Sequence, residues 1–169
     1  KNLSEGLNSK RFGPVPAVLA ATVLSSIFFG FLHGANPNVN LISLFNITAA
    51  GVFLALGYIL TGELAISIGL HITWNFFQGN VFGFPVSGMP LNQTTFIAIE
   101  QGGPALWTGG AFGPEAGLIG IGAMVLGVLL TVLWVYLRRG KVSLYLPLAE
   151  APTVPAQAAT DDVKDVADL

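Results

Sequence analysis

The stretch PAVLAATVLSSIFFGFLHG, residues 16–34, decides the fold class. It lies inside a longer run, residues 12–62, that contains no Asp, Glu, Lys or Arg. An apolar helix needs about 20 residues to cross about 30 Å of hydrocarbon, so this run has room for two membrane spans. Only 9% of the 169 residues are charged, whereas soluble domains have about 25%. The composition therefore predicts an integral membrane protein.

Helix-ending signals divide the apolar sequence into four segments. Asn36-Pro37 follows the first, and Thr61-Gly62-Glu63 separates the second from the third. We expect an all-α membrane protein, a polytopic bundle of four transmembrane helices. The predicted spans are residues 15–35, 41–60, 64–84 and 117–137.

The basic residues predict the orientation. All seven lie before the first span or after the fourth: Lys1, Lys10, Arg11, Arg138, Arg139, Lys141 and Lys164. An even number of spans puts both termini on one side, and the positive-inside rule makes that side cytoplasmic. We expect a membrane domain at residues 1–141 and a disordered cytoplasmic tail at 142–169, because residues 150–169 are acidic and lack aromatic side chains.

The composition also bounds the partners. The chain has no cysteine, which excludes disulfides, thiolate metal ligands and a cysteine nucleophile. The chain has no basic patch that would suggest a nucleic acid partner. The expected partner is the lipid bilayer. The oligomeric state is left open.

Three polar side chains stand out within the predicted spans. His33 ends the first span, and His71 and Asn75 lie four apart on one face of the third. Each has an ordinary alternative: His33 as an interfacial residue bonded to a carbonyl, and His71 with Asn75 as hydrogen bonds between helices. Polar groups in lipid are costly unless they face the protein interior, so we expect the three to share one buried site.

The chemistry of this set suits hydrolysis of an amide or ester. A neutral imidazole accepts a proton, and an Asn amide can stabilise an oxyanion. No carboxylate lies near either histidine along the spans, so the group that would complete water activation is missing. Zinc needs at least three protein ligands, and two imidazoles with an Asn are a poor set. No cofactor is therefore expected.

These residues resemble the CPBP family of intramembrane proteases, which includes the CAAX-protease and bacteriocin-processing (Abi, type II CAAX endopeptidase) proteins. The family motifs are Glu-Glu-x-x-x-Arg, Phe-x-x-x-His and His-x-x-x-Asn. FGFLH at residues 29–33 matches the second motif, and HITWN at residues 71–75 matches the third. The first motif is absent, so the sequence is expected to be the C-terminal portion of a longer protease and to be inactive alone.

The resemblance implies endoproteolysis within the membrane. In its glutamate-based mechanism, the first-motif Glu and His33 activate water, while His71 and Asn75 stabilise the oxyanion. An older metalloprotease interpretation would have His33 and His71 hold zinc. The implied substrate is a CAAX protein, a bacteriocin precursor or a membrane-protein segment, and the implied location is the plasma membrane of a bacterium.

Two other functions remain open. A non-catalytic immunity or scaffold protein could keep the fold and bind a peptide in the same cavity. A proton-coupled transporter subunit could use His33 and His71 as a proton relay, although the second and fourth spans offer few polar residues for a path.

Overall fold

The described part of the chain folds into helices and turns. The computed structural model describes residues 1–90 and 95–152, and this part of the chain has no strand beyond an isolated bridge between Val86 and Met89. The predicted all-α class is confirmed. The helices are α1 (Asn2–Leu7), α2 (Pro14–Leu32), α3 (Leu41–Thr61), α4 (Ala65–Asn75), α5 (Ala105–Thr108) and α6 (Leu118–Arg139).

The helices α2 and α3 form the central antiparallel pair. Helix α2 begins at Pro14, because the first turn of a helix has no use for the N–H that proline lacks. Helix α3 begins with a capping box in which the Asn40 side chain accepts from the Ser43 N–H at 2.9 Å. Small residues let the helices approach closely, since a Cβ on Gly51 would lie 3.0 Å from Ser26.

The prediction of four transmembrane helices is wrong in number. Among the described residues, three helical segments are long and apolar enough to cross a membrane: Pro14–Ala35, Leu41–Thr61 and Leu118–Arg139. Helix α4 has 11 residues and continues as a six-residue π-helical segment, Phe76–Val81. At about 1.5 Å per residue the two together span about 25 Å, less than the hydrocarbon thickness. Helix α4 therefore returns the chain through the bundle as a short helix.

The outside of the bundle is apolar. Phe31 is 75% exposed and Leu137 is 72% exposed, and large apolar side chains cover much of α2 and α6. Such a surface is stable where lipid rather than water surrounds the helices, and the backbone hydrogen bonds are satisfied within each helix. The molecule is a membrane-embedded protein.

The bundle extends past the predicted domain boundary at residue 141. Leu146–Ala149 forms a 3₁₀ turn whose last two residues, Leu148 and Ala149, are buried. The Ser4 hydroxyl donates to the Leu148 carbonyl at 2.5 Å, and the Asn8 amide donates to the Ala149 carbonyl at 2.8 Å. The N-terminal residues and residues 146–149 therefore lie at one end of the bundle. The predicted tail beyond residue 152 lies outside the described residues.

Candidate active site

His33 lies where α2 passes into a 3₁₀ turn. Its Nδ1 is 2.7 Å from the carbonyl oxygen of Phe29, one helical turn earlier. Because a carbonyl only accepts hydrogen bonds, this contact places the proton on Nδ1 and leaves Nε2 of the neutral ring as an acceptor. The alternative of a carbonyl-bonded His33 is thus seen in the structure, and the bond leaves the second ring nitrogen available for chemistry.

His71 and Asn75 project from the last two turns of α4. Their spacing places them on one face, as the sequence predicts. The Phe29 ring contacts both histidines: its centroid lies 4.6 Å from that of His33 and 5.9 Å from that of His71, the latter in an edge-on arrangement. Phe29, the aromatic residue of the first four-spaced motif, therefore packs against both imidazoles.

The three predicted site residues line one cavity. Its volume is about 40 Å³, which holds one to about three water molecules. Helix α3 and the start of α6 supply most of the apolar wall. The lining residues are Phe29, His33, Ile47, Ala50, Phe53, Leu54, His71, Trp74, Asn75, Ser87, Glu115 and Met124.

A carboxylate also lines this cavity, and sequence reasoning missed it. Glu115 lies in the 3₁₀ turn Pro114–Ala116 just before α6 and is only 6% exposed. Its Oε2 accepts hydrogen bonds from the backbone N–H of Ser87 at 2.6 Å and from the Ser87 hydroxyl at 2.9 Å. No carboxylate lies near the histidines along the spans, as the sequence analysis states, but the fold brings Glu115 into the same cavity.

A tight turn at residues 86–89 positions the backbone N–H and the hydroxyl of Ser87, which donate hydrogen bonds to Glu115. Val86 and Met89 exchange two backbone hydrogen bonds of 2.9 Å. Ser87 has φ 49° and Gly88 has φ 83°, the left-handed pair that a two-residue hairpin turn requires. Gly88 also packs so closely on the Pro37 carbonyl that a Cβ would overlap it. The Asn36 amide donates to the Ser87 carbonyl at 2.8 Å and ties the turn to the end of α2.

The backbone around Glu115 is held equally firmly. Asn46 of α3 is 1% exposed, and its amide donates to the Glu115 carbonyl at 3.0 Å. Gly113 has φ 110° and packs against the Pro85 carbonyl, where any Cβ would overlap the backbone. In the sequence, the signal that could have pointed to Glu115 was a single acid within the glycine-rich stretch GGAFGPEAG, residues 109–117, directly before an apolar span.

The environment of Glu115 favours its protonated form relative to water. Burial raises the pKa of the Glu115 carboxyl, while the hydrogen bonds from Ser87 and the nearby His33 imidazole partly oppose that rise. The site thus combines an acceptor imidazole nitrogen, a second imidazole, an amide and a buried carboxyl that can exchange a proton.

The donor set does not fit a zinc ion. Among residues 1–90 and 95–152, no three His, Cys, Asp or Glu side chains are grouped so that they could hold a metal. A catalytic zinc site uses three protein ligands and one open position. His33 and His71 are not grouped with a third such ligand among the described residues, so we derive no step through a metal.

The fold and the cavity define the class: a membrane-embedded helical protein with polar side chains lining a small cavity in its apolar bundle. Residues 3–77 match the family model described as type II CAAX prenyl endopeptidase Rce1-like. The matched segment, slightly less than half of the chain, contains both four-spaced motifs, and Glu115 lies outside it. No curated protein and no solved structure matches the chain. The match agrees with the family resemblance of the two motifs, and it supports an intramembrane CAAX-type protease at family level.

Proposed function

We propose that the protein is an intramembrane endopeptidase that hydrolyses a peptide bond in the cavity between α2, α3 and α4. The observation that carries this proposal is the convergence of His33, His71 and Asn75 on one water-sized cavity. The family match of the segment that contains these residues supports it independently.

Each residue has a role that its geometry allows. Nε2 of His33 accepts a proton from water, because Nδ1 is committed to the Phe29 carbonyl. The Asn75 amide and the His71 ring donate hydrogen bonds to the oxyanion that forms when water attacks the scissile carbonyl. The resemblance also assigns part of the water activation to a Glu of the first motif, which these residues do not contain.

The proposed substrate is a CAAX-type protein, a bacteriocin precursor or another membrane-associated peptide. We propose a bacterial plasma membrane as the location, with both ends of this chain in the cytoplasm. The apolar exterior of the bundle supports insertion in a bilayer, and the positions of the basic residues support the orientation.

The sequence-based expectation that these 169 residues are inactive alone rests on the absence of the first-motif Glu. Glu115 lines the cavity with the histidines and is a second carboxylate that could serve the site. The activity of this chain is therefore a test of whether the site works without the first-motif Glu.

The test of the proposal is cleavage of internally quenched peptides by the protein in liposomes. One peptide carries a farnesylated CAAX end, and a matched peptide lacks the prenyl group. We expect cleavage of at least one peptide, lost in His33→Ala and in His71→Ala. Binding without cleavage by the wild-type chain would instead favour the immunity or scaffold function, and proton uptake coupled to solute flux would favour the transporter.

A further inference from the structure

A second pocket lies at the basic end of the bundle, away from the histidines. Its volume is about 340 Å³, and it lies where the ends of α3 and α6 meet the segment that follows α6. Four polar side chains line it, Arg139, Lys141, Ser143 and Tyr145, and its other lining residues are apolar. We propose that this pocket binds the phosphate group of an anionic membrane phospholipid.

The segment after α6 forms one wall of the pocket. Gly140 ends α6 in the left-handed conformation, φ 70°, which glycine adopts without strain. The chain then folds back onto the end of α3, where the Tyr145 N–H donates to the Ile59 carbonyl at 2.8 Å. The Tyr145 ring packs so closely on Gly62 that a Cβ there would overlap it. The pocket wall is therefore held against the bundle by specific contacts.

The lining of the pocket is positively charged. Arg139 and Lys141 each carry a positive charge, and among the described residues no acidic side chain lines the pocket. Glu63 lies nearby, 3.5 Å from Arg139, but its side chain is 68% exposed, and exposed ion pairs contribute little. Lys141 forms no ion pair with another described residue. An anion that enters the pocket therefore meets an excess of positive charge.

The donor groups suit a phosphate. A guanidinium can donate two parallel hydrogen bonds to phosphate oxygens, and an ammonium binds the same group as a point charge. The hydroxyl groups of Ser143 and Tyr145 are further hydrogen-bond donors. Arg139 and Lys141 line the same pocket as both hydroxyls, so one phosphate group can meet charge and hydrogen-bond donors together.

The pocket lies at the level of lipid headgroups. Helix α6 is long and apolar enough to cross a membrane, and its last two residues are Arg138 and Arg139. The Trp134 ring, one turn earlier, lies 5.9 Å from the guanidinium carbon of Arg138, and tryptophan is enriched at the interface between membrane and water. Basic pockets between helix ends at this level bind anionic headgroups.

A phosphate group could come from a lipid or from free phosphate in water. The apolar part of the lining favours the lipid, because Leu60, Leu144 and Leu146 can contact the glycerol and the first acyl carbons. Leu137 at the end of α6 is 72% exposed and offers further apolar surface to an acyl chain. Free phosphate has no apolar part that would use these contacts.

The test compares three ligands of the protein in dodecyl maltoside micelles: dioleoyl phosphatidylglycerol, dioleoyl phosphatidylcholine and inorganic phosphate. Native mass spectrometry measures the dissociation constant of each lipid, and the Tm measures stabilisation by each ligand. All 169 residues are kept, so the acidic residues near the C-terminus remain as competing anions. We expect phosphatidylglycerol to bind at least about tenfold more tightly than phosphatidylcholine, and inorganic phosphate to leave the Tm unchanged.

Two variants of equal charge locate the site. Lys141→Gln removes a charge from the pocket and should weaken phosphatidylglycerol binding by about fivefold or more. Arg138→Gln removes the same charge at the same end of α6, but Arg138 does not line the pocket, and salt screens an exposed charge outside it. Its effect should therefore be no more than about twofold.

A third variant tests the hydroxyl donors without a change of charge. Ser143→Ala should weaken phosphatidylglycerol binding by about two- to tenfold, the effect of losing one hydrogen bond. The Tm of each variant without lipid is the control for folding.

The outcomes decide both the ligand and the site. Equal binding of the two lipids to wild type overturns the proposal. Equal losses in Lys141→Gln and Arg138→Gln also overturn it, because they indicate general attraction to the basic end rather than a pocket. If inorganic phosphate raises the Tm as much as phosphatidylglycerol does, the ligand is free phosphate and the lipid assignment is overturned. None of these results depends on peptide cleavage, so the proposed function is tested separately.

Discussion

Asn75 allows the sharpest test at the scale of a single residue. It lines the cavity one helical turn from His71, where an amide donor can meet the oxyanion. Asn75→Ala should lower kcat by about 10² to 10³, the effect of removing one such donor, and leave peptide binding intact. The matched control is Thr73→Ala on the same helix, whose hydroxyl bonds only to the helix backbone at Gly69 and Leu70. Equal kcat for Asn75→Ala and wild type would contradict the assignment.

Glu115 should also make folding stability depend on pH. Burial raises the folded-state pKa of Glu115 above the reference value of 4.5. At a pH between the reference value and the folded-state pKa, the folded protein therefore binds more protons than the unfolded chain. Stability contributed by this group is therefore present below about pH 4.5 and is lost as the pH rises through the folded-state pKa.

The measurement is the Tm in detergent across this pH range. The Tm of wild type should fall relative to Glu115→Gln as the pH rises from 4. Glu63→Gln is the control, because the Glu63 side chain is 68% exposed and should leave the pH dependence as in wild type. The same slope in wild type and Glu115→Gln would show that Glu115 titrates normally.

The site residues differ in how far the sequence could predict them. His33, His71 and Asn75 were predictable because helical spacing and the cost of polar groups in lipid both act locally along the chain. Glu115 was not, since it is 28 residues from its partner Ser87. Only the folded turn at residues 86–89 and the close glycine packing around Gly113 bring it to the histidines.

At the scale of elements, the packing of α3 on α6 depends on a small residue. A Cβ on Gly127 of α6 would lie 2.7 Å from the Phe53 ring of α3, and Phe53 lines the cavity and contacts Trp74. Gly127→Ala should therefore destabilise the bundle by about 1 to 3 kcal/mol, as overpacking does, and lower activity by shifting the cavity wall.

A second glycine of α6, Gly122, provides the control for Gly127→Ala. Gly122 has nothing within 4 Å of an added Cβ, so Gly122→Ala should leave stability unchanged or raise it by up to about 1 kcal/mol through helix propensity. Chemical unfolding of both variants in mixed micelles measures the difference. Equal stability of the two variants would contradict the close α3–α6 contact.

The length of α4 could not be predicted from the apolar pattern of the sequence. Residues 64–84 are as apolar as a span, yet the regular helix covers only Ala65–Asn75. Beyond it, the Gln78 amide donates to the Pro85 carbonyl at 2.6 Å, and Gly83 adopts φ 76°. These tertiary contacts bend the chain toward the Glu115 loop, and hydropathy does not record them.

At the scale of the whole molecule, the described basic residues gather at one end of the bundle. Arg139 ends α6 and donates to the Thr61 carbonyl, the last residue of α3, at 3.1 Å, where a cation favours the helix terminus. Lys1 pairs with Glu5 and also reaches the Glu150 carbonyl at 3.2 Å. The N-terminal residues and the C-terminal end of α6 therefore lie at the same end of the bundle. The positive-inside rule predicts that such a basic end faces the cytoplasm.

This charge distribution makes a testable prediction of topology. The chain has no native cysteine, so single cysteines report directly on exposure. Gly6→Cys lies at the basic end and Gly102→Cys in the loop at the opposite end, and neither position has an atom within 4 Å of an added Cβ. In intact cells a membrane-impermeant maleimide should label Gly102→Cys and spare Gly6→Cys, which should react only after permeabilisation. Labelling of Gly6→Cys from outside, with Gly102→Cys protected, would reverse the orientation and place the Glu115 loop on the cytoplasmic side.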